Sequence, residues 1–189
     1  LNIGTSTLKS TGWSTGGLVV NQVLTFGRVA VLARLLSPED FGLYAMAFVF
    51  YSLVQTMGNI GTSAALIQRK SPSAELVSSV FYLNILLGVL LSALVFGTAP
   101  LVAYFYGESQ VELILKWLSV VFFVASLGLV HGTLLRKEMQ FDSVTKSDVF
   151  ANFLSTILCV VLAYKGFGAY SFVFQMISYT ILSTILLSM

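Results

Sequence analysis

Between Ala74 and Tyr104 the chain carries a single charged side chain, Glu75, at the very start of the stretch. A helix that crosses the hydrocarbon core needs about 20 mostly apolar residues, and this stretch is longer than that. Five other stretches have comparable length and character: about 11–36, 40–67, 111–135, 144–164 and 169–189. The expected fold is an all-α membrane protein of about six transmembrane helices. The apolar runs are too long, and alternate too little, for a β-barrel. Composition agrees. The 189 residues are 57% hydrophobic and 10% charged, with a mean hydropathy of +0.90, whereas soluble domains carry about 25% charged residues. A soluble chain of this size could not hide that much apolar surface in one core.

Charge and cysteine content narrow the function. A net charge of +2, with its bases scattered between apolar runs, does not suit nucleic acid. Cys159 is the one cysteine and lies in an apolar run, so no disulfide framework or cysteine-held metal is expected, and its expected place is a small core position. No phosphate-cradling glycine loop, Gly-x-Ser-x-Gly or His-Glu-x-x-His is found. With one His and one Cys, no metal site and no enzyme is expected. No secretory signal pattern is seen at the start. Because the sequence opens on Leu1 and closes on Met189 inside an apolar stretch, a truncated chain is expected. The connections contain breakers: Ser37-Pro38-Glu39-Asp40, Ser71-Pro72-Ser73, Tyr106-Gly107-Glu108-Ser109 and Lys165-Gly166-Phe167-Gly168. Pro100 is expected to kink the third helix or to start a short interfacial segment.

Orientation follows from Lys and Arg outside the spans. Lys9, Arg69, Lys70, Arg136, Lys137 and Lys146 fall on one side; Arg34 and Lys165, with Lys116 just inside a helix, fall on the other. The N-terminus is therefore expected in the cytoplasm. Trp13, Trp117, Tyr104, Tyr106, Tyr164 and Tyr170 lie near expected helix ends, where aromatic belts form.

Polar residues inside the spans carry the functional signal. Ser14, Asn21, Thr25 and Arg28 share one helical face. A charge at mid-membrane costs about 2.5–3.5 kcal/mol on insertion scales, so it faces protein or water. Two readings of Arg28 stay open: a cation lining a cavity for an anionic substrate, or an interhelical partner of a carbonyl or carboxylate. Arg34 is near a helix end and is expected to snorkel. Tyr44, Phe48, Tyr51, Gln55, Asn59 and Thr62 form a second stripe; aromatic rings and amides suit a sugar, and ordinary helix–helix hydrogen bonding explains Gln55 and Asn59 equally well. Asn84, Gly88 and Ser92 share a face of the third helix; Asp148, Asn152, Ser155 and Cys159 share one of the fifth. Asp148 is expected to stabilise a helix N-terminus, with ion coupling as the alternative. Unperturbed histidine changes charge near neutral pH, which makes His131 the other coupling candidate.

Three segments resemble a known family. Ala33-Arg34-Leu35-Leu36-Ser37-Pro38-Glu39-Asp40-Phe41-Gly42-Leu43-Tyr44-Ala45 resembles the first periplasmic turn of Wzx-type polysaccharide-transporter flippases, members of the multidrug/oligosaccharidyl-lipid/polysaccharide exporter superfamily. Gly58-Asn59-Ile60-Gly61-Thr62-Ser63-Ala64-Ala65-Leu66-Ile67-Gln68-Arg69-Lys70 resembles the end of its second helix and the following loop. Leu134-Leu135-Arg136-Lys137-Glu138-Met139-Gln140-Phe141 resembles the loop after its fourth. The ordered set is closest to the colanic-acid-exporter-like branch.

The resemblance implies two six-helix lobes, of which residues 1–189 would be the first, with the C-terminal lobe absent. It implies alternating access that carries undecaprenyl-pyrophosphate-linked oligosaccharide across the bacterial inner membrane for surface polysaccharide synthesis. It implies no cofactor, with a proton or sodium gradient as driver. The implied partners are the lipid-linked glycan, membrane lipids and the polysaccharide polymerase and export proteins. Under it Arg28, Asn21, Thr25, Tyr51, Gln55, Asn59 and Asn84 become candidate substrate contacts, and Asp148 and His131 candidate coupling residues. The alternatives are a multidrug/cation antiporter of the same superfamily and a non-transporting assembly protein.

Overall fold

The computed structural model describes the backbone of residues 3–58, 74–137 and 141–188, and the side chains of 15–58, 75–130, 132, 133 and 142–188. Among these residues all regular structure is helical: α1 (Ile3–Leu35), α2 (Pro38–Gly58), α3 (Ala74–Tyr106), α4 (Ser109–Lys137), α5 (Phe141–Tyr164) and α6 (Tyr170–Ser188). All six contain a stretch long and apolar enough to cross a membrane.

Local chemistry sets the ends. Ser37 caps α2: its hydroxyl accepts the Asp40 N–H at 3.2 Å, while the Asp40 carboxylate accepts the Ser37 N–H at 3.0 Å. That reciprocal pair is a capping box, with Pro38 at the first helical position. α3 and α5 end alike. After α3, Glu108 N–H donates to Ala103 O and Gly107 N–H to Tyr104 O; after α5, Phe167 N–H donates to Leu162 O and Gly166 N–H to Ala163 O. Gly107 and Gly166 have φ of +71° and +83°, which glycine adopts without Cβ strain.

Two expectations shift. α1 begins at Ile3 rather than near residue 11. Its membrane-crossing part starts only at Thr15, so hydropathy alone missed a polar extension that contains no proline. α3 runs through Pro100 without ending, so the interfacial segment does not form. Residues 59–73, which hold the end expected for the second span, lie outside the described residues.

α3 packs most extensively on α4; α4 packs on α6, α6 on α5, and α5 on α1, while α2 lies against α4, α3 and, more lightly, α6. α4 is the central helix, with 50% of its apolar window buried, and α1 is the edge helix, with 6%. Lipid is as apolar as leucine, so close approach of small residues drives such contacts. A Cβ on Gly88 would press into Ser126, and one on Gly128 would sit 2.7 Å from Thr184 Oγ1. The main core joins α2, α3, α4 and α6 around Tyr51, Val95, Leu118 and Val173. A second cluster joins α1, α5 and α6 through Leu32, Leu36, Cys159, Ala163 and Phe172, with Phe41 and Tyr44 of α2 against it.

Candidate functional site

α2, α4 and α6 enclose a cavity of about 410 Å³. It starts beside Tyr51 and Met176 and extends to Gly132 and Leu187, away from the end that carries the turns after α1, α3 and α5. Half of its lining is polar: Tyr51, Gln55, Thr133, Tyr179, Thr180, Ser183 and Thr184. On the α4 side its wall includes Gly128 and Gly132, where α6 approaches closely through Thr184 and Leu187. A pocket of about 100 Å³ shares Tyr51 and Gln55 with it and adds Asn84, Gly88 and Ser126. Tyr51 is the hinge of the arrangement. Its ring is 1% exposed and packs 4.7 Å from Phe122, and its hydroxyl accepts a hydrogen bond from Gln55 Nε2 at 3.2 Å. Asn84 is buried and donates to Val80 O at 2.9 Å.

The α1 candidates sit elsewhere. Asn21 accepts a hydrogen bond from Asn152 Nδ2 at 2.8 Å, and Thr25 donates to Asn21 O at 2.9 Å. Arg28 is half-buried, and its Nε is buried with no hydrogen-bond partner among the described residues. Arg28 precedes Leu32 by one helical turn on α1 and lies near Tyr44 and Cys159, beside the second apolar cluster. Arg34 is exposed, as snorkelling requires. The structure thus gathers Tyr51, Gln55 and Asn84 in one place and Arg28 with Tyr44 in another, and ties Asn21 to the neighbouring helix. Asn59 and the side chains of Ser14 and His131 lie outside the described residues.

The polar face of α5 is a spine between two helices. Asn152 reaches α1 at Asn21. Ser155 Oγ accepts from Gln175 Nε2 of α6 at 3.3 Å, and Asp148 Oδ1 accepts from Ser183 at 3.3 Å and Tyr179 at 3.5 Å. The expectation for Asp148 changes accordingly. α5 starts at Phe141, so Asp148 lies beyond its first turn, where the dipole effect has faded, and the carboxylate faces α6 hydroxyls instead. The α6 residues Gln175, Tyr179, Thr180, Ser183 and Thr184 went unnoticed in the sequence. Their signal was present: they recur at three- to five-residue steps in an otherwise apolar helix.

The profile of the family described as polysaccharide biosynthesis protein matches residues 31–189. The teichuronic acid biosynthesis protein TuaB of Bacillus subtilis is 31% identical over 147 residues, covering 78% of this chain and 30% of TuaB. The succinoglycan biosynthesis transport protein ExoT of Rhizobium meliloti is 30% identical over 172 residues, 89% of this chain and 34% of ExoT. The lipopolysaccharide biosynthesis protein WzxC of Escherichia coli is 27% identical over 161 residues, 84% of this chain and 33% of WzxC. The chain therefore spans about a third of the length of these relatives. No solved structure matches it. The profile covers most of the chain, and this bundle of apolar helices belongs to the polysaccharide biosynthesis protein family.

Proposed function

We propose that this chain is one lobe of a flippase that moves lipid-linked oligosaccharide across the bacterial inner membrane, with its N-terminus in the cytoplasm. The observation that carries the reading is the cavity between α2, α4 and α6, whose amide, phenol and hydroxyl groups match the hydrogen-bonding needs of a glycan inside a bundle otherwise built for lipid. The Lys/Arg asymmetry supports a cavity that opens toward the cytoplasmic face, where a lipid-linked precursor would enter. Arg28 lies apart from this cavity, beside Tyr44, and is the candidate for a second contact, with the pyrophosphate. Its Nε is a buried donor with no hydrogen-bond partner among the described residues, and a guanidinium pairs well with phosphate oxygens. The lipid tail stays in the bilayer along exposed apolar faces such as Leu18, Val23 and Phe26 of α1. Asp148, held by the hydroxyls of Tyr179 and Ser183, is the candidate for coupling to a proton or sodium gradient, since a carboxylate inside a bundle marks an ion pathway.

Relatives about three times as long support a second body against which this one rocks, as alternating access requires. The test is export of a fluorescent lipid-linked oligosaccharide across reconstituted vesicles by the complete protein. Arg28→Ala should insert normally and fall to background, and Arg28→Lys should keep part of the rate because a point charge remains. Normal export by Arg28→Ala would remove Arg28 from the site. Steady export by residues 1–189 alone would remove the two-lobe reading.

A further inference from the structure

Asp40 does more than cap its own helix. Its Oδ2 accepts the Ser37 N–H at 3.0 Å and the Ser37 hydroxyl at 2.8 Å, which completes the local capping box. Its Oδ1 crosses to a turn 129 residues away and accepts the Ala169 N–H at 3.0 Å. That amide lies just before α6, among the donors a helix N-terminus leaves without an intrahelical partner. One carboxylate therefore serves the starts of α2 and α6 together, where helix dipoles favour a negative charge. The second turn is shaped to receive it. Gly168 has φ of +53°, and a Cβ there would collide with Asp40 Oδ1. Glycine is thus required at 168 both for backbone conformation and for the approach of this carboxylate.

What the contact holds lies directly beneath it. Phe41 meets Phe172 edge-on at 5.2 Å, and Tyr44 stacks on Phe172 at 4.6 Å. Those rings close over Leu32, Leu36, Ala163 and the fully buried Cys159, and Arg28, one helical turn before Leu32 on α1, lies near both Tyr44 and Cys159. We propose that Asp40 is a positioning residue that clasps the α1–α2 turn to the α5–α6 turn, holding Tyr44 against Phe172 and so fixing the surroundings of Arg28. The bearing on transport, through Arg28, rests on the function proposed above. The clasp itself is read out by a thiol rather than by glycan, so the two can fail separately.

Cys159 is the one cysteine of residues 1–189 and lies in the layer the clasp covers, so with any cysteine outside these residues replaced it is a native reporter. The experiment follows its labelling by N-ethylmaleimide in detergent-purified protein. Asp40→Glu preserves the local cap, since Ser-x-x-Glu is itself a capping box, but its longer side chain cannot keep the approach to Gly168 and Ala169. Gly168→Ala blocks the same approach from the other turn. Each should raise the labelling rate about tenfold, the equivalent of one lost charge-assisted hydrogen bond, and the double variant should go no further than the faster single. Gly128→Ala, which crowds Thr184 toward the opposite end, should leave the rate unchanged. Equal labelling of wild type and both single variants would overturn the clasp. So would a multiplicative double variant, or a comparable rise in Gly128→Ala. If Gly168→Ala does not fold, hydrogen exchange of the Ala169 amide decides the matter. Protection should survive in Asp40→Asn, which retains a carbonyl oxygen, and be lost in Asp40→Glu; equal protection in the two overturns the proposal.

Discussion

The two ends of the bundle are built on different chemistry. At the end that carries the short turns, helices are terminated by glycines at positive φ, pinned by the Asp40 carboxylate and sealed by stacked rings. At the opposite end, α2, α4 and α6 separate around a cavity lined with hydroxyls and amides, and α5 holds its neighbours by side-chain hydrogen bonds rather than by rings. Tyr51 sits where the two regimes meet, its ring in the core and its hydroxyl bonded to Gln55. Buried rings pack in few ways and give one rigid arrangement. Hydroxyls can exchange a protein partner for water or a ligand at small net free-energy cost. The difference teaches that rigidity and accessibility have been placed at opposite ends of the same helices.

The largest effect is expected at Tyr51. Tyr51→Ala removes the ring that joins the halves and should destabilise the bundle by about 3 kcal/mol, the scale of a buried aromatic truncation. Reversible unfolding in mixed micelles measures it, and a loss no larger than that of Gln55→Ala would mean that Tyr51 is not part of a packed core. Next comes Gly128→Val, which forces two methyl groups against Thr184 and should cost about 1–3 kcal/mol by overpacking; an unchanged unfolding midpoint would show that α4 and α6 are not in close contact. The smallest effect is expected at the surface. Lys146 lies 3.6 Å from Asp142, with the two side chains 61% and 49% exposed, and Lys146→Ala should shift stability by less than about 0.5 kcal/mol. A larger loss would mean that this end depends on charge pairing as well as on hydroxyls.

Single residues show how much of this was legible. The all-α membrane fold could be read because apolar length is a property of the chain alone. The α2 cap could be read from Ser37, Pro38 and Asp40, since a capping box closes within four residues. Arg28 stood out because a charge inside an apolar run is rare. Its separation from Gln55 was not readable, because residues on α1 and α2 come near or stay apart according to which helices lie between them. The α6 polar stripe was readable by spacing and was overlooked beneath the helix's high apolar content. Asp148 was misplaced because its surroundings depend on where α5 starts and on which face α6 presents.

The sequence by itself determined the helices, their approximate limits and the asymmetry of basic residues, all of which follow from composition along the chain and from interactions spanning a few residues. Tertiary structure alone decided that Asp40 serves two helices, that Asn21 belongs to Asn152, and that Tyr51 and Tyr179 border one cavity. The physical reason is the solvent. Lipid gives an apolar helix face little preference among its neighbours, so pairing is settled by small-residue fit and by a few hydrogen bonds. Both join residues far apart in the chain, and local sequence does not record which will meet.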